Sequence, residues 1–409
     1  MKKEFLLLGF LIPDEEMQKV FGCDDLPQIQ THKFIWNFAK GVSDSDLDFT
    51  YISSRPVTDY PSYPRKLVKS RSWYVRLGGK KVVIREIPFV NYGVLKILTR
   101  FLFSLYYCVK AFRGLSNREG IIVYSTHIPF MLVGYIVSVL YKVEFIAIWT
   151  DPPSVSISHD SSLKGNLRGL EKRFAKYLMR KADKVIALTK DLALDFAPNK
   201  PYLVIEGFTD EKEANPTSSR EKRERNTTRI VYTGTLATKY GVKNIVDGFL
   251  LLNDPNSFLD IYGRGDYESE LIEVCSRCSN ISYKGFLPNE RILQVQRDAD
   301  FLINARAPND DYVKYSFPSK TLEYMLSGTP LITTKLPGIP EEYYEYIIPL
   351  RNNDPAEICA VLKGSIEMNY ESRAALGARA ILFAESKSYK RQGRLIVEFL
   401  HASDEPSVR

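Results

Sequence analysis

Three charged residues that could act together lie in one stretch, Arg306 to Gly328: Arg306 itself, Lys320 and Glu323. The residues around them predict a strand end, a polar loop, a helix of about ten residues opening near Pro318 and closing at Gly328-Thr-Pro330, and then a new strand. Lys320 would sit in the first helical turn, where backbone N–H groups already concentrate positive charge and a second cation is mildly unfavourable. An anionic ligand would compensate both, and with Arg306 at the preceding strand end the set suits a diphosphate. Glu323, on the same helix face as Lys320, could accept hydrogen bonds from sugar or ribose hydroxyls. The plainer alternative is a surface i,i+3 pair of Lys320 with Glu323 and a solvated Arg306.

The elements that would position these residues follow from apolar periodicity. The chain has 409 residues, enough for two domains. Short apolar runs, Phe5 to Leu11, Phe49 to Ser53, Val82 to Ile84, Ile121 to Tyr124, Phe145 to Trp149, Val185 to Leu188 and Tyr202 to Ile205, alternate with helical stretches. After a polar piece from Thr209 the alternation restarts with Ile230 to Thr233, Phe258 to Tyr262, Ile281 to Tyr283, Phe301 to Asn304, Pro330 to Thr333 and Tyr346 to Pro349. Strand–helix repetition with apolar strands argues for parallel sheets covered on both faces. The reading is therefore α/β, two doubly wound Rossmann-like domains facing each other across a cleft. Their expected bounds are 1–208 and 228–384, with a linker over 209–227 and a final helix, about 385–409, returning to the first domain. Open parallel sheets bind ligands beyond the carboxyl ends of their strands. That rule adds His127, Asp151, Gly234 and Gly263 to Arg306 as candidates.

Charge is unevenly placed. Residues 1–210 hold 30 Lys and Arg against 21 Asp and Glu, and within them residues 61–118 hold thirteen bases and one acid, Glu86. Aromatic residues Phe101, Phe103, Tyr106, Tyr107 and Phe112, interleaved with Lys96, Arg100, Lys110 and Arg113, suggest an interfacial amphipathic helix and an anionic membrane surface as partner. No nucleic-acid motif accompanies the bases, so nucleic acid is not an expected partner. The longest uncharged apolar run, Ile128 to Tyr141, is too short to span a bilayer. Five scattered cysteines, with one C-x-x-C at Cys275 and Cys278, read as buried or incidental thiols of a reducing cytoplasm. His32 and His159 read as loop or surface histidines.

Two strands run into small-residue turns, Tyr232-Thr-Gly234-Thr235-Leu and Asp260-Ile-Tyr-Gly263-Arg264-Gly265, which let backbone N–H groups approach an anion closely. The dinucleotide fingerprint fails at Gly263, since its third glycine is missing. Together with Lys284-Gly-Phe-Leu-Pro-Asn-Glu and Ser316-Phe-Pro-Ser319-Lys320-Thr-Leu-Glu323, in this order, these segments resemble the donor half of a GT-B glycosyltransferase of family 4. Asn304-Ala-Arg306 followed by Phe317-Pro-Ser-Lys320 is similar to the branch found in bacterial capsular and exopolysaccharide gene clusters. The resemblance is strong over about 228–350 and only thematic over 1–210.

The resemblance implies a retaining, metal-independent transfer of a sugar from a nucleotide diphosphate sugar to a saccharide or polyprenyl-diphosphate-linked acceptor at the inner face of the membrane, with no cofactor. It assigns Asp151, Arg306 and Lys320 to catalysis. Gly234, Thr235, Gly263, Arg264, Tyr315, Ser316, Ser319 and Glu323 bind the donor on this reading, and His127 faces the acceptor or sugar. Glu323 matches the second glutamate of the family's E-x7-E motif, whereas Tyr315 occupies the place of the first. The family's loop Arg and Lys fall on Thr235 and Tyr240, which leaves Arg306 and Lys320 as replacements, with Lys239 and Arg264 nearby. Asp44-Ser-Asp46-Leu-Asp48 superficially matches the D-x-D metal site of another glycosyltransferase architecture, but it precedes its strand and reads as a solvated loop. An epimerase on the same scaffold, or a scaffold without activity, are the competing functions.

Overall fold

The run Glu-Phe-Leu-Leu-Leu-Gly becomes the first strand because five of its six residues are buried on both faces, as a central parallel strand requires. The computed structural model to which it belongs describes residues 2–153, 162–210, 227–309 and 312–402. His159 and residues 211–226 of the expected linker lie outside the described residues. The chain divides into two compact units, Met1–Phe208 with Tyr389–Arg409, and Thr209–Ser388.

The first unit carries β1 (Glu4–Gly9), β2 (Asp48–Ser53), β3 (Leu67–Val68), β4 (Arg71–Leu77), β5 (Lys80–Glu86), β6 (Phe89–Val90), β7 (Arg118–Tyr124), β8 (Glu144–Trp149), β9 (Lys184–Ala187) and β10 (Tyr202–Val204). Its main sheet runs β10-β9-β8-β7-β1-β2-β5-β4, parallel except for β4, which pairs antiparallel with β5 at the edge. Its helices are α1 (Asp14–Phe21), α2 (Ile29–Ser43), α3 (Gly93–Gly114), α4 (Ile128–Tyr141), α5 (Ser162–Met179) and α6 (Lys190–Phe196). The second unit has β11 (Thr228–Thr233), β12 (Ser257–Tyr262), β13 (Ile281–Tyr283), β14 (Phe301–Asn304), β15 (Leu331–Thr334) and β16 (Ile348–Leu350), all parallel in the order β13-β12-β11-β14-β15-β16. Helices α7 (Val242–Leu252), α8 (Glu268–Arg277), α9 (Asn289–Asp298), α10 (Lys320–Leu326), α11 (Pro355–Ile366) and α12 (Tyr370–Ser386) surround it, and α13 (Tyr389–His401) belongs to the first unit. The strand order reverses at β11, the position at which such sheets open a ligand crevice.

Several expectations need correction. The helix opening at Pro318 spans only seven residues, Lys320–Leu326. Before it, Pro318 and Ser319 form a tight turn in which Thr321 N–H donates to the Pro318 carbonyl at 2.8 Å. After it, the Ser327 hydroxyl takes the Tyr324 carbonyl at 2.6 Å and Gly328 turns left-handed at φ +72°. So short a helix has little macrodipole, and the burden of binding an anion falls on side chains. The final helical region is broken at Lys387–Ser388, where Thr209 N–H donates to the Lys387 carbonyl at 3.0 Å and its hydroxyl to the Ala384 carbonyl at 2.8 Å. His32 is buried in α2, with Nε2 2.7 Å from Asp14 Oδ1, so it is no surface residue. The D-x-D carboxylates are separately engaged: Asp44 accepts from Gly79 N–H at 2.8 Å, Asp46 meets His401 at 3.1 Å and Asp48 faces Lys80 at 3.7 Å.

In helix α3 two of the four interleaved bases face inward, while Lys110 and Arg113 are exposed. Lys96 and Arg100 point inward, at 7% and 5% exposure, in line with Ser104, Cys108 and Phe112. Lys96 Nζ donates to the Val57 carbonyl at 2.8 Å and to Asp59 Oδ1 at 2.6 Å. Arg100 Nη2 donates to the Arg55 carbonyl at 2.7 Å, with its guanidinium between the rings of Phe89 (4.4 Å) and Phe10 (5.3 Å). Burial pulls the Arg100 guanidinium down to about 9, partly opposed by Asp59, so it keeps its charge at neutral pH. The face left outside is apolar from Val94 to Tyr106 and basic beyond it.

Candidate functional site

The carboxyl end of β11 anchors the site of the second unit. Thr233 N–H donates to the Tyr324 hydroxyl at 3.1 Å, and that hydroxyl donates to the Thr233 carbonyl at 2.6 Å, which ties α10 to the strand end. Burial pushes the Tyr324 phenol up, so it stays protonated and able to donate. Gln296 of α9, fully buried, donates through Nε2 to Thr233 Oγ1 (3.0 Å) and to Glu323 Oε1 (2.7 Å).

Lys320 lies against this network. Its Nζ is 3.4 Å from Thr233 Oγ1 and 3.7 Å from Glu323 Oε1. The i,i+3 pair is therefore present but long, because Gln296 already holds that carboxylate oxygen at shorter range. A half-buried ammonium with two long contacts retains donors for an anion. Its Cε lies 3.6 Å from the point a Cβ on Gly234 would occupy, so Lys320 stands directly over the first glycine turn.

The glycine turns are nested. Gly234 N–H donates to the Tyr262 carbonyl at 3.0 Å, and Gly263, at φ +142°, packs so tightly that a Cβ there would be 1.7 Å from the Gly234 carbonyl oxygen. Gly241, at φ +78°, meets the Ala305 carbonyl oxygen equally closely. That contact fixes the end of the first loop beside the end of β14, where Arg306 projects. The Arg306 guanidinium stacks 4.5 Å from the Tyr240 ring, which Lys239 Nζ also approaches at 5.2 Å. Among the described residues no carboxylate pairs with Arg306. Arg306 and Lys320 thus reach the two ends of one loop, Gly234 to Gly241.

The other expected donor residues surround the same strand ends with weaker definition. The Thr235 carbonyl accepts the Tyr232 hydroxyl at 2.9 Å, while Arg264 is exposed over Phe286 at 5.2 Å. Tyr315 ends a single 3-10 turn beneath the Lys314 ammonium at 4.7 Å. Gly338 packs on the Ser316 carbonyl, and Ser319 is exposed at the start of α10 without capping it. Thr233, Gln296 and Tyr324 were not expected from the sequence. A polar residue ending an apolar strand could have flagged Thr233, whereas nothing in the α9 sequence separates Gln296 from its polar neighbours.

In the first unit, Asp151 follows β8 and accepts from the Thr150 hydroxyl at 3.0 Å. Its side chain is exposed, yet the protein packed around it desolvates the carboxyl and raises its pKa, with the Thr150 hydrogen bond opposing. His127 precedes α4, with its ring edge-on to Phe130 at 4.7 Å and tilted on Phe10 at 5.6 Å. Burial, reinforced by the charges of Arg100 and Lys96, holds the imidazole well below its ordinary pKa.

Residues 227–365 match the family described as glycosyl transferases group 1. No curated protein sequence matches the chain. Solved structures similar to it include Escherichia coli trehalose-6-phosphate synthase bound with UDP-2-fluoro glucose, at 11% identity and a TM-score of 0.66, covering 98% of this chain and 100% of the other. Anabaena HepE in complex with UDP and glucose aligns at 16% identity with a TM-score of 0.60, over 98% and 100% of the two chains. Sucrose-phosphate synthase from Thermosynechococcus elongatus aligns at 12% and 0.64, over the same shares. At these identities the likeness defines the fold, which is GT-B, with two Rossmann-like domains.

Proposed function

We propose that this protein is a glycosyltransferase that moves a sugar from a nucleotide diphosphate sugar to a saccharide acceptor, with retention of anomeric configuration and without a metal. The observation that carries the reading is the convergence of Arg306 and Lys320 on the Gly234–Gly241 loop, the one segment where the resemblance expects cations and finds Thr235 and Tyr240. The group 1 match over 227–365 covers the same strands and loops, and the E. coli and Anabaena structures hold UDP or a UDP-sugar on this fold.

On this reading the bond between the anomeric carbon and the diphosphate oxygen breaks while the acceptor oxygen bonds to the same face of the carbon, and the acceptor proton passes to the departing diphosphate. Negative charge grows on the diphosphate, and fixed cations in a partly desolvated site stabilise it. Arg306 and Lys320 do this. Glu323, held by Gln296, accepts a hydroxyl of ribose or sugar, and the turns at Gly234 and Gly263 admit the phosphates close to backbone. Asp151 and His127 are the proposed sugar- and acceptor-facing residues of the first unit. The acceptor is taken as a polyprenyl-diphosphate-linked saccharide of envelope polysaccharide assembly, capsular, exopolysaccharide or O-antigen, on the strength of the basic segment 61–118.

Lys320→Ala and Arg306→Ala should each remove about 2 to 4 kcal/mol of transition-state stabilisation, a loss of about thirtyfold to nearly a thousandfold in kcat/KM. Thermal-shift measurement with UDP, GDP and ADP comes first. Stabilisation by none of them would sink every enzymatic reading and leave a scaffold. Labelled donor offered with a lipid-linked saccharide, or with a free sugar phosphate, then separates transfer from epimerisation and one acceptor class from the other. Unimpaired turnover in both variants removes the phosphate assignment.

A further inference from the structure

Helix α3 contains no acidic residue, buries its internal bases and leaves an apolar stripe outside. Leu98, Leu102 and Tyr106, spaced four apart on one face, are 49%, 51% and 58% exposed, with Val94 and Leu95 extending the stripe towards the helix start. Four residues beyond Tyr106 the same line reaches Lys110 and then Arg113, both exposed. Twenty-two residues make a rod about 33 Å long at 1.5 Å per residue. A stripe of this kind facing water is unfavourable unless something covers it.

The surroundings say what covers it. The loop Arg65-Lys66-Leu67-Val68-Lys69-Ser70-Arg71 is fastened beside α3: Val68 pairs with Phe89 through β3 and β6, the Ser70 hydroxyl lies 2.9 Å from the Tyr107 hydroxyl, and Val90 N–H donates to Thr99 Oγ1 at 3.1 Å. It carries Leu67, 56% exposed, among four exposed bases, Arg65, Lys66, Lys69 and Arg71. Arg55, Arg65, Lys69 and Arg71 also line a recess of about 260 Å³ in the same loop. Between residues 61 and 118 the one acid is Glu86, which is buried and bonded to Arg55. An apolar rod bordered by cations, with the segment's own acid hidden and the nearby Asp59 held by Lys96, is complementary to a bilayer that presents hydrocarbon beneath anionic head groups. A second copy of the same face would set these bases against one another.

We propose that α3 lies in the interface of an anionic membrane, its Leu98-Leu102-Tyr106 stripe immersed and the 65–71 loop on the head groups. Among the described residues no helix is long and apolar enough to cross a membrane, so the attachment is from one side. The inference is independent of sugar transfer: it needs only the first unit and would stand if the second bound no nucleotide.

Vesicle co-sedimentation of the whole chain tests it, with phosphatidylcholine alone and with phosphatidylcholine containing phosphatidylglycerol. Wild-type protein should bind the anionic vesicles, and raised salt should weaken binding. Arg65→Gln/Lys66→Gln/Lys69→Gln should lower affinity about fivefold per base removed, about a hundredfold together, on anionic vesicles. Leu98→Gln/Leu102→Gln/Tyr106→Gln should lower it at least about tenfold at any salt while the far-UV circular dichroism spectrum of the folded chain is retained, since about half of each side chain already faces water. Unchanged vesicle binding by the apolar triple variant overturns the proposal. So does a wild-type chain that ignores both kinds of vesicle, whether it sediments as a monomer or as a dimer that the triple variant dissociates.

Discussion

At the scale of single residues, the fold sets protonation states that composition could not reveal. His127 is held neutral by burial and by Arg100 and Lys96. Its pKa is lowered in the fold and ordinary, near 6.5, in the unfolded chain, so below pH 6.5 the unfolded state binds a proton that the folded state refuses. The contribution is intact above that pH and lost as pH falls, at about 1.4 kcal/mol per unit until the folded pKa is reached. Urea denaturation should therefore show wild type losing stability relative to His127→Gln between pH 7.5 and 5.5; parallel curves for the two proteins would refute a buried neutral imidazole. His127 was legible as a strand-end candidate, but the cations that tune it are more than twenty-five residues away in sequence, on a helix whose inward face was misjudged. Gln296 was illegible for a related reason, because its value lies in reaching Thr233 and Glu323 from a third element.

Among the elements, those whose residues obey one period were readable, and those that obey two were not. The central strands of both sheets, β1, β7, β8 and β9 in one and β11, β12, β14 and β15 in the other, are runs largely buried on both faces, and all the expected runs form strands within a few residues of their expected bounds. Strand β4, Arg-Ser-Trp-Tyr-Val-Arg-Leu, is not among the expected runs because it is a charged edge strand with Ser72, Tyr74 and Arg76 exposed on one face and only Leu77 fully buried on the other. In helix α3, Lys110 and Arg113 follow the ordinary expectation that sends Lys and Arg outward, but Lys96 and Arg100 do not. Here they turn inward because partners await them: Lys96 has Asp59 and a carbonyl, and Arg100 has a carbonyl between two rings. Beside them Arg55 is bound by Glu86 at 2.7 Å and Glu16 at 3.1 Å, and Trp73 Nε1 donates to Glu86 at 3.0 Å. Burial opposes ionisation of Glu16, but hydrogen bonds from Lys19 and Arg55 outweigh it and hold the carboxyl below its ordinary range. Glu86→Ala leaves the buried Arg55 underpaired and Trp73 Nε1 without its acceptor. It should cost about 3 to 5 kcal/mol in urea denaturation; a loss of less than about 1 kcal/mol would show that Glu16 alone suffices.

For the whole molecule, the two units carry separate cores and separate chemical surfaces, cations over glycine turns in one and an apolar, base-rimmed helix in the other. If both assignments hold, each ligand should leave its mark on one unit. A ligand that binds only the folded state at a hundred times its dissociation constant adds about 2.7 kcal/mol of stability. Amides of the second unit that exchange only through its unfolding, such as those of β11 and β12, should then exchange about a hundredfold more slowly with saturating UDP. Amides of α3 and residues 65–71 should be indifferent to UDP and slow with phosphatidylglycerol vesicles instead. Hydrogen exchange read by mass spectrometry on the intact chain measures both in one experiment. Protection of β11 and β12 by vesicles without nucleotide, or of α3 by UDP without vesicles, would mean that the surfaces have been assigned to the wrong ligands. Protection of each unit by its own ligand alone would fix where the donor and the membrane act, using charge and burial that the isolated sequence motifs only partly disclosed.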